Sequence, residues 1–264
     1  MITSLTPLRN AMSNAAQDQV SSFSRLYLKV GGASASPIAR LRVAYTGAAV
    51  SALPACAQWC MIGPAFHLFH AYLPIPAALL AAASLETFIA YGSQSRNAQL
   101  AYNVQVGPEK AVQALFHTWR PWGPGAPFFV LRNACGMAGI RWLSPPCQSV
   151  LAPVLPSVGP REVCADMAAS MATCVVSAPL NACWAYTVTT PRLWQASLSD
   201  CAAELKEFLR RQYLNASGTA LSRLAVRDLS VRAVYIAACF SMFSAIERLS
   251  VAHWPTPSKG EPRG

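Results

Sequence analysis

The sequence predicts an all-α membrane protein with about five transmembrane helices. Between Val43 and Leu85 the chain runs for 43 residues without Asp, Glu, Lys or Arg. That is too long for one core helix and enough for two spans of roughly 20 residues each. Similar runs follow at Met167–Pro191 and, inside a longer apolar pattern, at Ala233–Ile246. Hydrophobic residues make up 53% of the chain and charged residues 12%, against about 25% charged in soluble domains. Barrel strands would alternate polar and apolar residues. These runs do not, so the spanning elements are helices.

The elements read in order as follows. Pro37–Ile62 and Ile75–Tyr91 form the first two long helices, with Pro64, Pro74 and Pro76 dividing the first apolar run. Pro108–Arg120 is a mixed, helix-compatible segment. Pro127–Leu143 is the third long helix. Pro145–Pro160, with its several prolines, is a loop. Glu162–Thr189 is the fourth helix and Ser222–Ser250 the fifth. Between them Leu198–Leu214 carries Glu204, Lys206, Glu207, Arg210 and Arg211, an amphipathic pattern suited to a helix on the membrane surface. Small residues crowd the apolar runs, as close helix packing in lipid requires. The tail 251–264 has too few apolar residues to pack.

The net charge is +10. The basic residues flank the apolar runs, where they meet lipid headgroups or set topology, and no basic-aromatic motif for nucleic acid occurs. Nine cysteines form no paired CxxC elements, and most lie in apolar stretches, where Cys behaves as a small hydrophobe. His67 and His70 lie one turn apart, and no further ligands lie close in the sequence to complete a metal site. Residues 1–20 hold Arg9, Asp18 and no apolar stretch, so they read neither as a signal peptide nor as a transit peptide. No nucleophile elbow, P-loop or dinucleotide fingerprint is present, so no catalytic residues and no enzyme are expected.

One block recurs three times. Its copies are Phe23–Gly32 with Ala39–Arg42, Leu115–Gly125 with Phe129–Arg132, and Phe208–Gly218 with Leu224–Arg227. Each joins an aromatic amphipathic segment, a glycine turn and an Arg at the start of an apolar helix. A shorter element precedes each block: Pro7-Leu-Arg-Asn-Ala11, Ser95-Arg-Asn-Ala98 and Pro179-Leu-Asn-Ala182. The whole of 1–264 is expected to form a single membrane domain. Its degenerate repeats cover about 5–62, 75–147 and 161–250, each a span, a surface helix and a span. The first copy lacks its leading helix, of which only the end at Pro7 is left.

This pattern resembles the mitochondrial carrier family, over about residues 5–250. The features are Ser177-Ala-Pro-Leu-Asn181 closing an odd-numbered span, the glycine before each Arg-led even-numbered span, and Arg227-Asp-Leu-Ser-Val-Arg232 with Ile246-Glu247-Arg248 in the last one. The resemblance implies a multi-pass protein of the mitochondrial inner membrane, built as a carrier-like helical bundle. Family members carry Pro-x-acidic-x-x-basic at the kink of each odd span, and those charges pair to close a gate. Here Pro179 is followed by Asn181 and Trp184, Arg9 stands where an acid belongs after Pro7, and Gly92 and Gln94 occupy the second kink, shortly before Arg96. A three-way ion-pair ring cannot form from these residues.

Arg42, Arg132 and Arg227 either face a central cavity, where they would bind an anionic metabolite or the headgroup of cardiolipin or another phospholipid, or mark helix ends at the interface. Arg141 and Arg232 lie deeper in apolar helices and call for partners. Asp228 is placed to pair with Arg232 at i,i+4. Glu86 and Asp166 are candidate partners for an Arg on a neighbouring span, Asp166 alternatively being a helix N-terminal acid. Two functions follow. One is a degenerate carrier serving as a structural or accessory subunit of a larger inner-membrane assembly of respiratory-chain type. Its incomplete ring would leave an open flank at Gly47 and Ala48 for membrane-protein partners or lipid. The other is an active carrier of a small anionic metabolite.

Overall fold

The computed structural model describes residues 6–7, 9–10, 36–106 and 108–253. The first copy of the aromatic block, Phe23–Gly32, and the tail from Trp254 lie outside them. Among the described residues the chain is α-helical, with short 3₁₀ and π turns and no strands beyond an isolated Leu214–Leu221 bridge. Four helices are long and apolar enough to cross a membrane: Ala48–His70, Ile75–Val104, Val158–Thr189 and Arg223–Ser250.

Helix α1, Pro37–Ala44, starts with Ser36 accepting from the Ala39 N–H at 3.2 Å, a normal N-cap, and Pro37 in the first turn. The expected single helix Pro37–Ile62 is broken at Tyr45–Gly47. Gly47 adopts φ +76°, and a Cβ there would collide with the Asn97 side chain, so a side chain is excluded on both counts. Asn10 Nδ2 donates to the exposed carbonyls of Ala44 (2.9 Å) and Thr46 (3.0 Å), and Asn97 Nδ2 donates to Asn10 Oδ1 at 2.9 Å. The elbow's unsatisfied backbone groups are thereby paired.

Helix α2, Ala48–His70, runs through Pro54 and Pro64 without breaking. Membrane helices tolerate internal proline, and at the start of α2 Ser51 Oγ donates back to Gly47 O and Ala48 O. The division of the run falls instead at Pro74, after which α3 extends over Ile75–Val106. It passes the expected end at Tyr91 by four turns, reaching about 48 Å in all.

Pro108–Arg120 is not a helix beyond the 3₁₀ turn Pro108–Lys110. The polar side chains of α3 hold it in irregular form. Asn103 bonds both the N–H and the carbonyl of Val112, Gln99 Oε1 accepts from the Phe116 N–H at 2.8 Å, and Arg96 donates to the Phe116 carbonyl. Gly92 permits this approach, since a Cβ would lie 2.5 Å from Arg120 N and His117 O. The second copy of the aromatic block therefore yields no surface helix.

Helix α4, Ala126–Ala138, passes through a π turn at Gly139–Leu143 into α5, Ser144–Leu151. Neither is long enough alone to be a span. The expected loop Pro145–Pro160 is thus helical at both ends, because Pro145 and Pro146 fall in the first turn of α5, where no backbone N–H is needed. In the same way Gly159 and Pro160 occupy the first turn of α6, Val158–Thr189. The surface helix α7, Leu198–Tyr213, follows, then α8, Arg223–His253.

Helices α2, α3, α4, α6 and α8 each pack on the one before. Among the described residues α8 meets α2, across the expected open flank, through side chains. Trp59 sits 5.7 Å from the Phe240 ring and 5.3 Å from the Phe243 ring, and Glu247 lies over Gly63. Gly47 lies against Asn97. Outward residues such as Leu53, Phe88, Val175, Val234 and Leu249 form an exposed apolar belt, the surface expected of helices in lipid.

Candidate functional site

Two polar layers cross the bundle. The central one is built around Arg132, in the second turn of α4 and 7% exposed. Its guanidinium lies 3.9 Å above the Phe129 ring and 4.3 Å from the Trp184 ring, a cation–π sandwich. It donates to Asn181 Oδ1 and, at 2.7 Å, to Gln94 Oε1. Gln94 Nε2 donates to Gln58 Oε1 at 2.9 Å, and Gln58 Nε2 donates to Glu86 Oε1 at 2.5 Å. A chain of hydrogen bonds thus joins α6, α4, α3 and α2. Arg9 donates to Ser51 Oγ at 2.8 Å, and Arg232 Nε donates to Ser177 Oγ at 3.2 Å. These groups surround a cavity of about 60 Å³ whose lining includes Arg9, Glu86, Arg132, Trp184, Arg232 and Tyr235.

Asn181 and Trp184 lie one turn apart on α6. Here they grip Arg132 from the face of α6. Glu86 takes its direct hydrogen bond from Gln58, a glutamine inside the charge-free run, and its hydrogen-bonded link to Arg132 runs through Gln58 and Gln94. Asp228 accepts from the Tyr213 hydroxyl, and its charge also faces Arg232.

The second layer ties the far ends of the helices. Arg141, in the π turn, reaches both oxygens of Glu247 on α8 at 2.7 and 2.6 Å, and His67 Nε2 of α2 lies 3.3 Å from the same carboxylate. Arg248 pairs with Asp166 at 2.9 Å and with Glu162 at 3.2 Å, and Ser144 Oγ donates to Asp166. Buried charges persist in an apolar setting when so paired and hydrogen-bonded.

The remaining candidates fall elsewhere. Arg42 is exposed at the end of α1. Arg227 is half-buried near the start of α8 and does not line the cavity. Arg96 holds the Phe116 carbonyl, and Pro179 sits on the outer face of α6 beside α7. Pro7 is half-buried. Gln58, Gln94, Ser51, Ser177 and Tyr235 were not among the candidates. For Gln58 the signal was there, since a glutamine deep in an apolar run is costly in lipid unless used. Outside the spans, hydrogen bonding to Arg210 holds the Glu207 carboxyl below its ordinary range.

The geometry can hold a small polar or anionic group, or tie five helices together. The bundle is all-α and multi-pass, and no protein-family model, curated protein or solved structure matches this chain.

Proposed function

We propose that this chain is a carrier-like protein of the mitochondrial inner membrane that serves as a structural or accessory subunit of a larger assembly and no longer exchanges solutes. The supporting observation is the central layer. Its hydrogen bonds run directly from helix to helix, and α8 closes onto α2, leaving about 60 Å³. An apolar cavity that takes benzene has about 150 Å³. The resemblance supports the carrier part of the reading. It is supported further by the left-handed glycines ahead of α4 and α8, Gly125 and Gly218, which are the glycine turns of the second and third blocks. The test is the native mass of the endogenous protein after mild detergent extraction, paired with exchange assays in liposomes. Co-migration with a large inner-membrane assembly and no saturable exchange is the expected result. Saturable exchange by the purified protein would overturn it.

The convergence of Arg9, Arg132 and Arg232 on one cavity favours a second reading, an active carrier of a small anionic metabolite. That reading requires the layer to open, and it predicts migration near 28.2 kDa plus micelle.

A further inference from the structure

The hairpin that joins α5 to α6 carries no charged residue from Trp142 to Pro160. Its tip is nonetheless open: Val150, Val154 and Val158 are 77%, 76% and 56% exposed. The tip is also ordered. The N–H groups of Val154 and Leu155 both donate to the Leu151 carbonyl, at 3.1 and 2.8 Å, and Ser144 at the base is tied to Asp166 across the hairpin. Height decides what surrounds it. Asp166 belongs to the charged layer with Arg141 and Arg248, and Trp142 beside that layer is exposed, as aromatics at a membrane surface are. From Asp166 to Thr189 helix α6 rises about 35 Å, enough to cross a hydrocarbon core of about 30 Å. Val158 lies about 12 Å beyond Asp166, and Leu151 about 14 Å beyond Trp142. A headgroup layer adds only about 5–8 Å. The three valines therefore stand on the water side of the charged layer.

We propose that this tip docks a different protein, with Val150, Val154 and Val158 in an apolar pocket of that protein's water-facing surface and Arg161 against an acidic side chain at the pocket's rim. The inference names a contact face for the subunit reading above and rests on it. Uncharged apolar surface held in water marks a contact site, and an ordered hairpin loses little freedom on binding. Charge chooses the occupant. Arg161, at the base of the hairpin, pairs with no carboxylate among the described residues, because Glu162 and Asp166 are both taken by Arg248. Its Nε is buried without a hydrogen-bond partner. An acid from outside supplies what is missing. A second copy of this chain in symmetric contact would bring Arg161 towards Arg161 with no acid between them. A lipid surface would be met by basic residues beside the valines, and 142–160 has none.

The test expresses the full chain in place of the endogenous protein and reads the fraction that migrates in a large assembly after mild detergent extraction. Val150→Asp/Val154→Asp should lower that fraction about tenfold or more, the size expected for charging the centre of an interface. Arg161→Glu keeps the valines and should lower it as well, whereas Lys110→Gln, an exposed cation elsewhere, should not. Circular dichroism of each purified variant separates lost docking from lost folding. A Val154→Cys chain, labelled with a water-soluble maleimide and read at residue 154 by mass spectrometry, should be protected in the assembly and labelled once isolated in permeabilised vesicles. Assembly of the folded Asp variant at the wild-type level would overturn the proposal and leave the subunit reading standing. Migration of wild type on its own would overturn both. Failure of the isolated chain to label would place the tip in lipid, and co-precipitation of two differently tagged copies that the Asp variant abolishes would make the occupant a second copy. Either result would overturn the proposal.

Discussion

Replacing Glu247 by Gln should loosen the end of the bundle measurably. Glu247 holds Arg141 through two hydrogen bonds at 2.7 and 2.6 Å, and it also meets His67 of α2. The Arg141 and Glu247 side chains are 14% and 17% exposed, and Arg141 lies 5.2 Å from the Phe66 ring. Breaking a fully buried pair costs about 3–5 kcal/mol, and an exposed pair is worth about 0–1 kcal/mol. Exposure this low places the loss near the middle, at about 2 kcal/mol, because Arg141 keeps its charge while losing its counter-ion. The assay is reversible unfolding in mixed micelles of mild and denaturing detergent, arranged as a double-mutant cycle with Arg141→Gln. The expected coupling energy is about 1.5 kcal/mol, and the exchange Arg141→Glu/Glu247→Arg should recover more than half of the loss. A coupling below about 0.5 kcal/mol would refute the assignment of this layer as the tie between α2, the π turn and α8.

Other perturbations have separable outcomes in the same unfolding assay. Trp59→Ala removes the wedge between Phe240 and Phe243 and should cost about 2–3 kcal/mol, below a fully buried Trp because lipid replaces part of the contact. It should also increase labelling of Cys239, which is 2% exposed, by a membrane-permeant maleimide. Gly92→Ala drives a methyl into the backbone at His117 and Arg120 and should cost about 1–3 kcal/mol. Protease cleavage within 111–120 should rise with it. Arg132→Lys keeps the charge but loses the planar fork and the stacking on Phe129 and Trp184, and about 2 kcal/mol of stability should go with it. A Lys variant as stable as wild type would mean that the central layer is held by charge alone.

The sequence alone determined that the chain is all-α with helices long and apolar enough to cross a membrane, and roughly where the long apolar helices lie. Charge-free runs are read residue by residue, and long apolar helices must satisfy their own backbones wherever they sit. The surface helix was equally legible, because the pattern of Glu204, Lys206, Glu207, Arg210 and Arg211 is local. Prolines were read less well. Pro64 stays inside a helix, Pro145 and Pro146 open one, and only Pro74 lies at a break. Pro145 and Pro146 are accommodated because they fall in a first turn, a placement that depends on where the helix starts and not on the proline itself. Only the tertiary structure decided the partnerships: Gln58 with Glu86, Arg132 between Gln94 and Asn181, Arg141 with a carboxylate 106 residues away. It also decided that Trp59 of α2 meets Phe240 and Phe243 of α8. Sequence spacing fixes which face of a helix a side chain occupies. It does not fix which helix that face meets, since any of five apolar helices would bury it equally well, and selection among them rests on polar pairs and ring contacts made only on assembly.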